Sequence, residues 1–154
     1  MAKTQFYAHS GKSSDRSDWQ LLSDHLEKVS DLAAARGLPL GLAASAALAG
    51  AYHDLGKYDP AFDRVLRGEK ERVDHSTAGG KLLLDRVPPG MKPVAELLSY
   101  AILGHHAGLP DRQGGESALE ERITNHSFRI PQTIADACQP DFRAAGDELK
   151  ALIR

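Results

Sequence analysis

Apolar residues recur along most of this chain at intervals of three and four, which is the spacing of one face of an α-helix. One such series comprises Leu22, Leu26, Val29 and Ala33, and another runs through residues 94–102. The apolar residues are mainly Ala and Leu, and aromatic residues make up 6% of the chain. This composition favours the packing of helices over a β-sandwich. We therefore expect an all-α fold, and we predict no strand.

Glycine and proline residues divide the helical pattern into separate segments. The predicted helices cover about residues 19–35, 42–55, 60–66, 75–86, 93–104, 117–124, 131–138 and 141–153. Asp59 and Pro60 are typical of an N-cap and a first helical residue, and they open the third helix. Gly56 is predicted to cap the C-terminus of the second helix. Residues 8–18 and 108–116 have the composition of loops.

The length and the cysteine content indicate the class of protein. A chain of 154 residues is long enough for one domain with a buried core, and we treat residues 1–154 as a single domain. Cys138 is the single cysteine and cannot form an internal disulfide, which favours a reducing compartment. The first residues lack the apolar core of a signal peptide, and no segment has the roughly 20 apolar residues that span a bilayer. We expect a cytoplasmic protein with no membrane partner.

The charge limits how the protein can bind nucleic acid. The formal net charge is −2 at pH 7, whereas a protein that holds nucleic acid through its own basic surface is normally more positive. A phosphate substrate would therefore have to be held locally, by bound metal or by a partner subunit.

Six residues with metal-binding side chains stand where the predicted helices end or turn inward. They are His25, His53, Asp54, His75, His105 and His106. Imidazole and carboxylate are the usual ligands of first-row transition metals. Neighbouring side chains diverge by about 100° around a helix axis. The adjacent pairs His53-Asp54 and His105-His106 can therefore reach one centre only if they stand at a helix end, or if the site is large enough for two ions. Burying so many polar side chains without partners is costly, and a metal satisfies all of them together.

The ligand types also indicate the chemistry. Carboxylate with imidazole suits Mn, Fe, Co, Ni or Zn better than Mg or Ca, and the lack of a nearby cysteine argues against a structural zinc site. Asp54 is the one acid in the cluster and is suited to bridge two ions. Metal-activated water would attack phosphorus in line. Lys57, one helical turn beyond His53, either holds a phosphate oxygen as charge builds or is an ordinary solvated lysine beyond a helix end.

The series of His25, His53-Asp54-x-Gly56-Lys57, His75-Ser76 and His105-His106 resembles the HD-domain metal-dependent phosphohydrolase superfamily. Within it, the chain is similar to the HD nuclease domain of the CRISPR-associated nuclease-helicase. The shared motifs include the His-Asp-x-Gly-Lys core, the His-His-x-Gly at 105–108 and the Tyr-Ala-His-Ser opening at 7–10. The resemblance covers residues 6–110, which is most of the chain.

This resemblance implies an HD-domain-like helical bundle and a metal-dependent endo- and exonuclease that acts on single-stranded DNA. A helicase domain or subunit would feed in the strand that a CRISPR surveillance complex exposes. The resemblance implies one or two divalent transition-metal ions, Mn, Fe, Co or Ni, with Mg as an alternative. The implied ligands are His25, His53, Asp54, His75, His105 and His106, and Lys57 would contact phosphate.

The chain departs from the family pattern at its C-terminal side. The family normally supplies a further Asp from a helix well after the histidine pair, whereas this sequence ends at Arg154. Asp136 and Asp141 are the nearest candidates, and neither stands in a familiar context. We expect either a domain truncated at its C-terminus or a site completed in a different way.

Two other functions fit the same residues. An HD-family nucleotide phosphohydrolase uses nearly the same ligands, although the opening at 7–10 and the pair His105-His106 favour the nuclease. A catalytically incomplete helical module that binds a helicase or surveillance subunit is consistent with the missing acidic ligand. The intact pair His53-Asp54 speaks against that module.

Three further residues have alternative interpretations. His9 lies in a loop that either closes over the site or stays on the surface. His126, in a Thr-Asn-His-Ser turn, is expected at the surface. Trp19 is expected to anchor the core at a helix start rather than to stack on a base.

Overall fold

The computed structural model describes residues 4–70 and 72–152. Its α-helices are α1 (Leu22–Gly37), α2 (Ala43–Tyr52), α3 (Pro60–Leu66), α4 (Thr77–Arg86), α5 (Lys92–Gly104), α6 (Leu119–Asn125), α7 (Gln132–Ala137) and α8 (Phe142–Leu152). Short 3₁₀-helices at Leu38–Leu40 and Leu55–Tyr58 follow α1 and α2. The all-α prediction is confirmed, and the predicted helices lie within a few residues of the observed ones. The last predicted helix end, at Ile153, lies outside the described residues.

The prediction of no strand is wrong, because two short strands pair ahead of α1. Strand β1 (Tyr7–His9) is antiparallel to β2 (Gln20–Leu21), with Tyr7 opposite Leu21. Strands of two and three residues are too short to show the alternation that identifies a strand in sequence. Because residues 20–21 pair with β1, the first helix begins at Leu22 rather than at the predicted residue 19.

The core lies between α2, α4, α5 and α8. Its fully buried side chains include Leu83, Ile102, Leu103 and Phe142. The Ala-rich helix α2 packs closely on α1, where Ser30 Oγ donates to the Ala47 carbonyl at 3.0 Å. Within the described ranges, no helix is both long and apolar enough to cross a membrane.

The start of α2 is fixed by a side chain from the far end of the chain. Glu148 on α8 accepts hydrogen bonds from the backbone N–H groups of Ala44 and Ser45, each at 2.8 Å. The Ser45 hydroxyl donates to the same carboxylate at 2.8 Å. The first N–H groups of a helix have no partner within the helix, so this carboxylate supplies the cap that α2 lacks locally. The position of α2 therefore depends on α8.

The end of α2 differs from the prediction. The helix stops at Tyr52, and residues 55–58 form a 3₁₀-helix instead of a further α-helical turn. Gly56 belongs to that 3₁₀-helix and is not the predicted C-terminal cap. The prediction for α3 is confirmed, since Asp59 Oδ1 accepts from the Ala61 N–H at 2.8 Å and Pro60 is the first helical residue.

Candidate metal centre

The predicted metal-binding side chains come from four separate segments. His25 lies on α1, and His53 and Asp54 directly follow α2. His75 lies two residues before the start of α4, and His105 and His106 directly follow α5. At Asp54 the backbone has left helical conformation, with φ −110° and ψ 20°. The chain turn at the end of α2 therefore lets two adjacent side chains reach the same centre.

Asp54 lies at the middle of the cluster, and its side chain is 4% exposed. Its Oδ2 is 3.1 Å from His25 Nε2 and 3.2 Å from His53 Nε2. Its Oδ1 is 3.4 Å from His105 Nε2 and 3.6 Å from His75 Nε2. Each carboxylate oxygen thus faces a different pair of imidazoles.

The cluster therefore divides into two groups that share Asp54. The inner group is His25, His53 and Asp54, and the outer group is Asp54, His75, His105 and His106. In each group the candidate ligand atoms all lie within 4.8 Å of one another. The Nε2 atoms of His25 and His53 are 3.2 Å apart, and those of His75 and His106 are 2.8 Å apart.

Backbone carbonyls orient three of the imidazole rings. The pairs are His53 Nδ1 with Gly50 O at 2.7 Å, His105 Nδ1 with Ile102 O at 2.6 Å, and His75 Nδ1 with Val73 O at 3.3 Å. A carbonyl oxygen only accepts, so each Nδ1 carries the hydrogen and donates it. In the neutral ring the lone pair is then on Nε2, the atom that faces Asp54. Metal-ligating histidines are usually held in this way.

The arrangement fits a divalent cation. Lone pairs on several Nε2 atoms converge on one carboxylate, and Asp54 Oδ1 is buried without a hydrogen-bond partner among the described residues. A buried acceptor without a donor is costly, and a cation between the acceptors removes that cost. Imidazole nitrogen and a carboxylate are a donor set for Mn, Fe, Co, Ni or Zn.

Lys57 is buried beside Asp54 and is 6% exposed. Its Nζ lies 2.8 Å from Asp54 Oδ2 and donates to the carbonyl of Ala8 at 3.2 Å. The ammonium thus balances the charge of Asp54 and attaches β1 to the centre. In this conformation the lysine faces its carboxylate partner rather than open space.

The protonation states also suit metal binding. Burial by itself raises the pKa of Asp54, but the side-chain contacts with His105, His53 and Lys57 outweigh it and hold that pKa well below its ordinary range. Burial lowers the pKa of His25 and of His75 despite the attraction of Asp54. Near neutral pH the centre therefore offers an ionised carboxylate and neutral imidazoles at these two positions, the forms that coordinate metal.

Gly56 allows the loop of His75 to approach Asp54. The Gly56 N–H donates to the His75 carbonyl at 3.1 Å. A Cβ on Gly56 would lie 2.5 Å from the Cα of His75, which is closer than non-bonded carbon atoms come. The glycine of the His-Asp-x-Gly-Lys motif is thus required for this close contact between two ligand-bearing segments.

The remaining predicted residues occupy different places. His9 is exposed at the edge of the inner group, where its ring centroid is 5.0 Å from that of His25. His126 is partly buried and belongs to neither group. Trp19 is partly buried against Tyr7 beside the small sheet, with ring centroids 5.4 Å apart, so it does not anchor the helical core as expected.

Neither expected acidic substitute reaches the centre. Asp136 has a side chain that is 65% exposed and lies 3.9 Å from Arg86. Asp141 caps the start of α8 by accepting from the Arg143 N–H at 2.9 Å. Within the described parts of the chain, Asp54 is the one carboxylate in either group.

The sequence analysis missed two residues behind the outer group, Asp74 and Arg122. Asp74 accepts from the N–H groups of Ser76 and Thr77 at the start of α4, at 3.2 and 3.1 Å. Asp followed by Ser and Thr before an apolar run is a helix-start signal that could have identified it. Arg122 on α6 bonds to the same segment from a distant part of the chain, and no local signal indicates that contact.

Comparison with known families gives an independent assignment. The family profile described as Cas3, HD domain, matches residues 10–153. No curated protein sequence matches the chain. The profile spans nearly the whole chain and includes every member of both histidine groups. The chain belongs to the Cas3 HD domain family of CRISPR-associated, metal-dependent nucleases and phosphohydrolases.

Proposed function

We propose that this chain is a divalent-metal-dependent nuclease that hydrolyses phosphodiester bonds of single-stranded DNA in CRISPR interference. The observation that supports this most strongly is the division of the Asp54 carboxylate between two histidine groups. One buried carboxylate with imidazoles on both of its oxygens is suited to bind two cations at once, the arrangement of many phosphodiester hydrolases.

The proposed ligands follow from the geometry. One cation would be held by the inner group, His25, His53 and Asp54, and a second by the outer group, Asp54, His75, His105 and His106. When bound, such cations lower the pKa of coordinated water and polarise phosphoryl oxygens. Mn, Fe, Co and Ni suit the nitrogen-rich donor set better than Mg does.

The protein residues have distinct roles in this proposal. Asp54 supplies the bridging charge, and Lys57 holds Oδ2 in place through its 2.8 Å ion pair. The phosphate contact that the family resemblance implies for Lys57 stays a prediction, and it would require Nζ to turn away from Asp54. His106 is exposed, whereas Asp54 is buried, so the substrate would approach from the side of the outer group.

The proposed partners follow from family membership and from the charge. With a net charge of −2, the chain lacks the positive excess of proteins that grip DNA by themselves. We therefore propose that a helicase domain or subunit and a CRISPR surveillance complex deliver the single strand. The cytoplasmic location likewise stays a prediction.

The test is cleavage of circular single-stranded DNA, which only an endonuclease opens. The protein is incubated with Mn²⁺, Co²⁺, Ni²⁺ or Mg²⁺, beside an Asp54→Asn variant. A His126→Gln variant is the matched control, because His126 is a histidine outside both groups. We expect metal-dependent cutting by the wild type and by the control, and its loss in Asp54→Asn.

Two results would contradict the proposal. Cleavage that persists in Asp54→Asn would show that the centre is not responsible for it. Hydrolysis of deoxynucleotides or cyclic nucleotides, lost in Asp54→Asn and accompanied by no cutting of DNA, would assign the chain to the nucleotide phosphohydrolases instead.

A further inference from the structure

Arg122 lies on α6, outside the metal-binding cluster, and its side chain is 17% exposed. Its guanidinium group contacts two segments that carry ligands of the outer group. One segment, residues 74–77, contains His75 and leads into α4, and the other is the last turn of α5, which leads into His105. The arginine thus bonds to both segments from outside the cluster.

The contact with the His75 segment is made through several hydrogen bonds. Arg122 Nη2 donates to Thr77 Oγ1 at 2.7 Å and to Ser76 Oγ at 2.8 Å, and Nε donates to Thr77 Oγ1 at 3.0 Å. Nη2 also lies 3.2 Å from Asp74 Oδ1. The Thr77 and Ser76 hydroxyls in turn donate to Asp74 at 2.5 and 3.2 Å. His75 is therefore flanked in sequence by residues that bond to one guanidinium.

The contact with α5 is made from the other edge of the same planar group. Arg122 Nη1 donates to the carbonyl of Leu103 at 3.0 Å. Carbonyls in the last turn of a helix have no partner within the helix, and a cation is favourable there. Leu103 is two residues before His105 and directly follows Ile102, whose carbonyl orients the His105 ring.

We propose that Arg122 is a positioning residue that sets the spacing between His75 and the pair His105–His106, and so gives the outer group its affinity for metal. The proposal rests on the proposed function, because it requires the outer group to bind a cation. The planar guanidinium has fixed N–H directions, so it holds both segments at one separation, which a flexible lysine ammonium cannot reproduce. Among the described residues, no hydrogen bond or ion pair joins Arg122 to the inner group, so the metal affinity of that group should be unchanged.

The experiment measures metal binding, with cobalt as the probe. Metal-free protein is titrated with Co²⁺ by calorimetry and visible absorption for the wild type, Arg122→Lys and Arg122→Gln. We expect two sites in the wild type. The Arg122 variants should lose about 10–100-fold in affinity at one site, the range typical of residues that support metal ligands. That site is assigned as outer because His75→Ala removes it, whereas His25→Ala removes the other.

A matched control separates positioning from general stability. Arg86 is likewise partly buried and donates to backbone carbonyls, those of Cys138 at 3.2 Å and Ala135 at 3.0 Å, in a different part of the fold. Arg86→Gln should leave both cobalt affinities unchanged. If Arg122→Gln does not fold, Thr77→Val removes the central acceptor at nearly constant volume and should give the same selective loss. Equal weakening of both sites, or no weakening of either, would overturn the proposal.

A second readout does not depend on bound metal. Nitrogen-15 NMR of the imidazole rings in metal-free protein reports their tautomers and hydrogen bonds. Arg122→Lys should shift the signals of His75 and His105 and leave those of His25 and His53 in place. If the wild type binds no cobalt, the proposed function fails. Unchanged His75 and His105 signals would refute the positioning role by themselves.

Discussion

Replacing Glu148 should remove the hydrogen bonds that cap the N-terminus of α2 and so lower the stability of the fold. His53 and Asp54 follow the other end of this helix. The Glu148 carboxylate accepts from the N–H groups of Ala44 and Ser45 and from the Ser45 hydroxyl, each at 2.8 Å. These groups lie at the N-terminus of α2, where the helix dipole also favours a negative charge. The substitutions Glu148→Gln and Glu148→Ala remove the charge and the whole acceptor, respectively.

The expected loss follows from the number and type of hydrogen bonds. A hydrogen bond to a charged group contributes about 1.5–3 kcal/mol, and losing a helix N-cap costs about 0.5–2 kcal/mol. The Glu148 side chain is only partly buried, so the lower part of these ranges applies. We expect Glu148→Ala to lower the free energy of unfolding by about 2 kcal/mol. Glu148→Gln should lower it by about 1 kcal/mol, since the amide keeps one acceptor oxygen.

The pH dependence gives a sharper test. Burial by itself raises the pKa of Glu148, but the hydrogen bonds from Ala44 and Ser45 outweigh it and lower that pKa below its ordinary 4.5. A carboxylate with a depressed folded-state pKa contributes stability that is present above the unfolded-state value. That stability is lost as the pH falls through the folded-state value. The difference in the free energy of unfolding between the wild type and Glu148→Gln should thus be largest at pH 7 and should decrease below pH 4.5.

Urea unfolding followed by circular dichroism, repeated from pH 7 down to pH 3.5, measures this difference. Asp147→Asn is the matched control, because Asp147 is the exposed neighbour on the same helix and should change stability by less than about 0.5 kcal/mol. A difference for Glu148→Gln that does not vary with pH would refute the role of the charge. A loss for Glu148→Ala no greater than that of Asp147→Asn would refute the cap.

Three further predictions concern the centre and its surroundings. Gly56→Ala should destabilise the fold by about 1–3 kcal/mol in urea unfolding, because the added methyl overlaps the backbone of His75. Gly115→Ala is the control and should leave the stability unchanged, because a Cβ on Gly115 would have no neighbouring atom within 4 Å. Lys57→Met leaves the buried Asp54 without its ammonium and should cost about 3 kcal/mol without metal. Added Mn²⁺ should raise the melting temperature of this variant more than that of the wild type, and an equal rise would contradict the charge-balancing role. Burial raises the pKa of the Cys138 thiol. This thiol should therefore react with a thiol reagent at pH 8 much more slowly in native protein than in urea, and equal reaction rates would contradict its burial.

Local patterns predicted the helices well, because an apolar series such as that from Leu22 to Ala33 is long enough to show its period. The small sheet could not be predicted in this way. Its strands have three and two residues, and they are defined by pairing with each other rather than by their own composition. The role of Gly56 was also hidden, since the neighbour that requires a glycine there is His75, almost twenty positions away in the sequence.

That these histidines and Asp54 lie together was predictable, because several imidazoles and a carboxylate near helix ends have a shared chemistry. Their role as metal ligands stays a prediction. The sequence did not show that each oxygen of Asp54 faces a different histidine group. That arrangement depends on how four separate segments of the chain are oriented in the fold. The sequence also did not show that Lys57 would be buried. A lysine just past a helix is usually solvated, whereas here the Ala8 carbonyl and Asp54 make its burial favourable.

The same distant contacts explain why the fold and the centre should be coupled. His25 lies in the first turn of α1, and the other ligands stand just before or after helices. Contacts from elsewhere hold these elements: Glu148 holds the start of α2, and Gly56 and Arg122 hold the His75 segment. A cation that joins these elements stabilises the folded state over the unfolded one. At a free cation concentration 100-fold above the dissociation constant, the gain is about 2.7 kcal/mol per site. This is about the size of the loss expected for Glu148→Ala, so saturating metal should restore much of the stability that the missing cap removes.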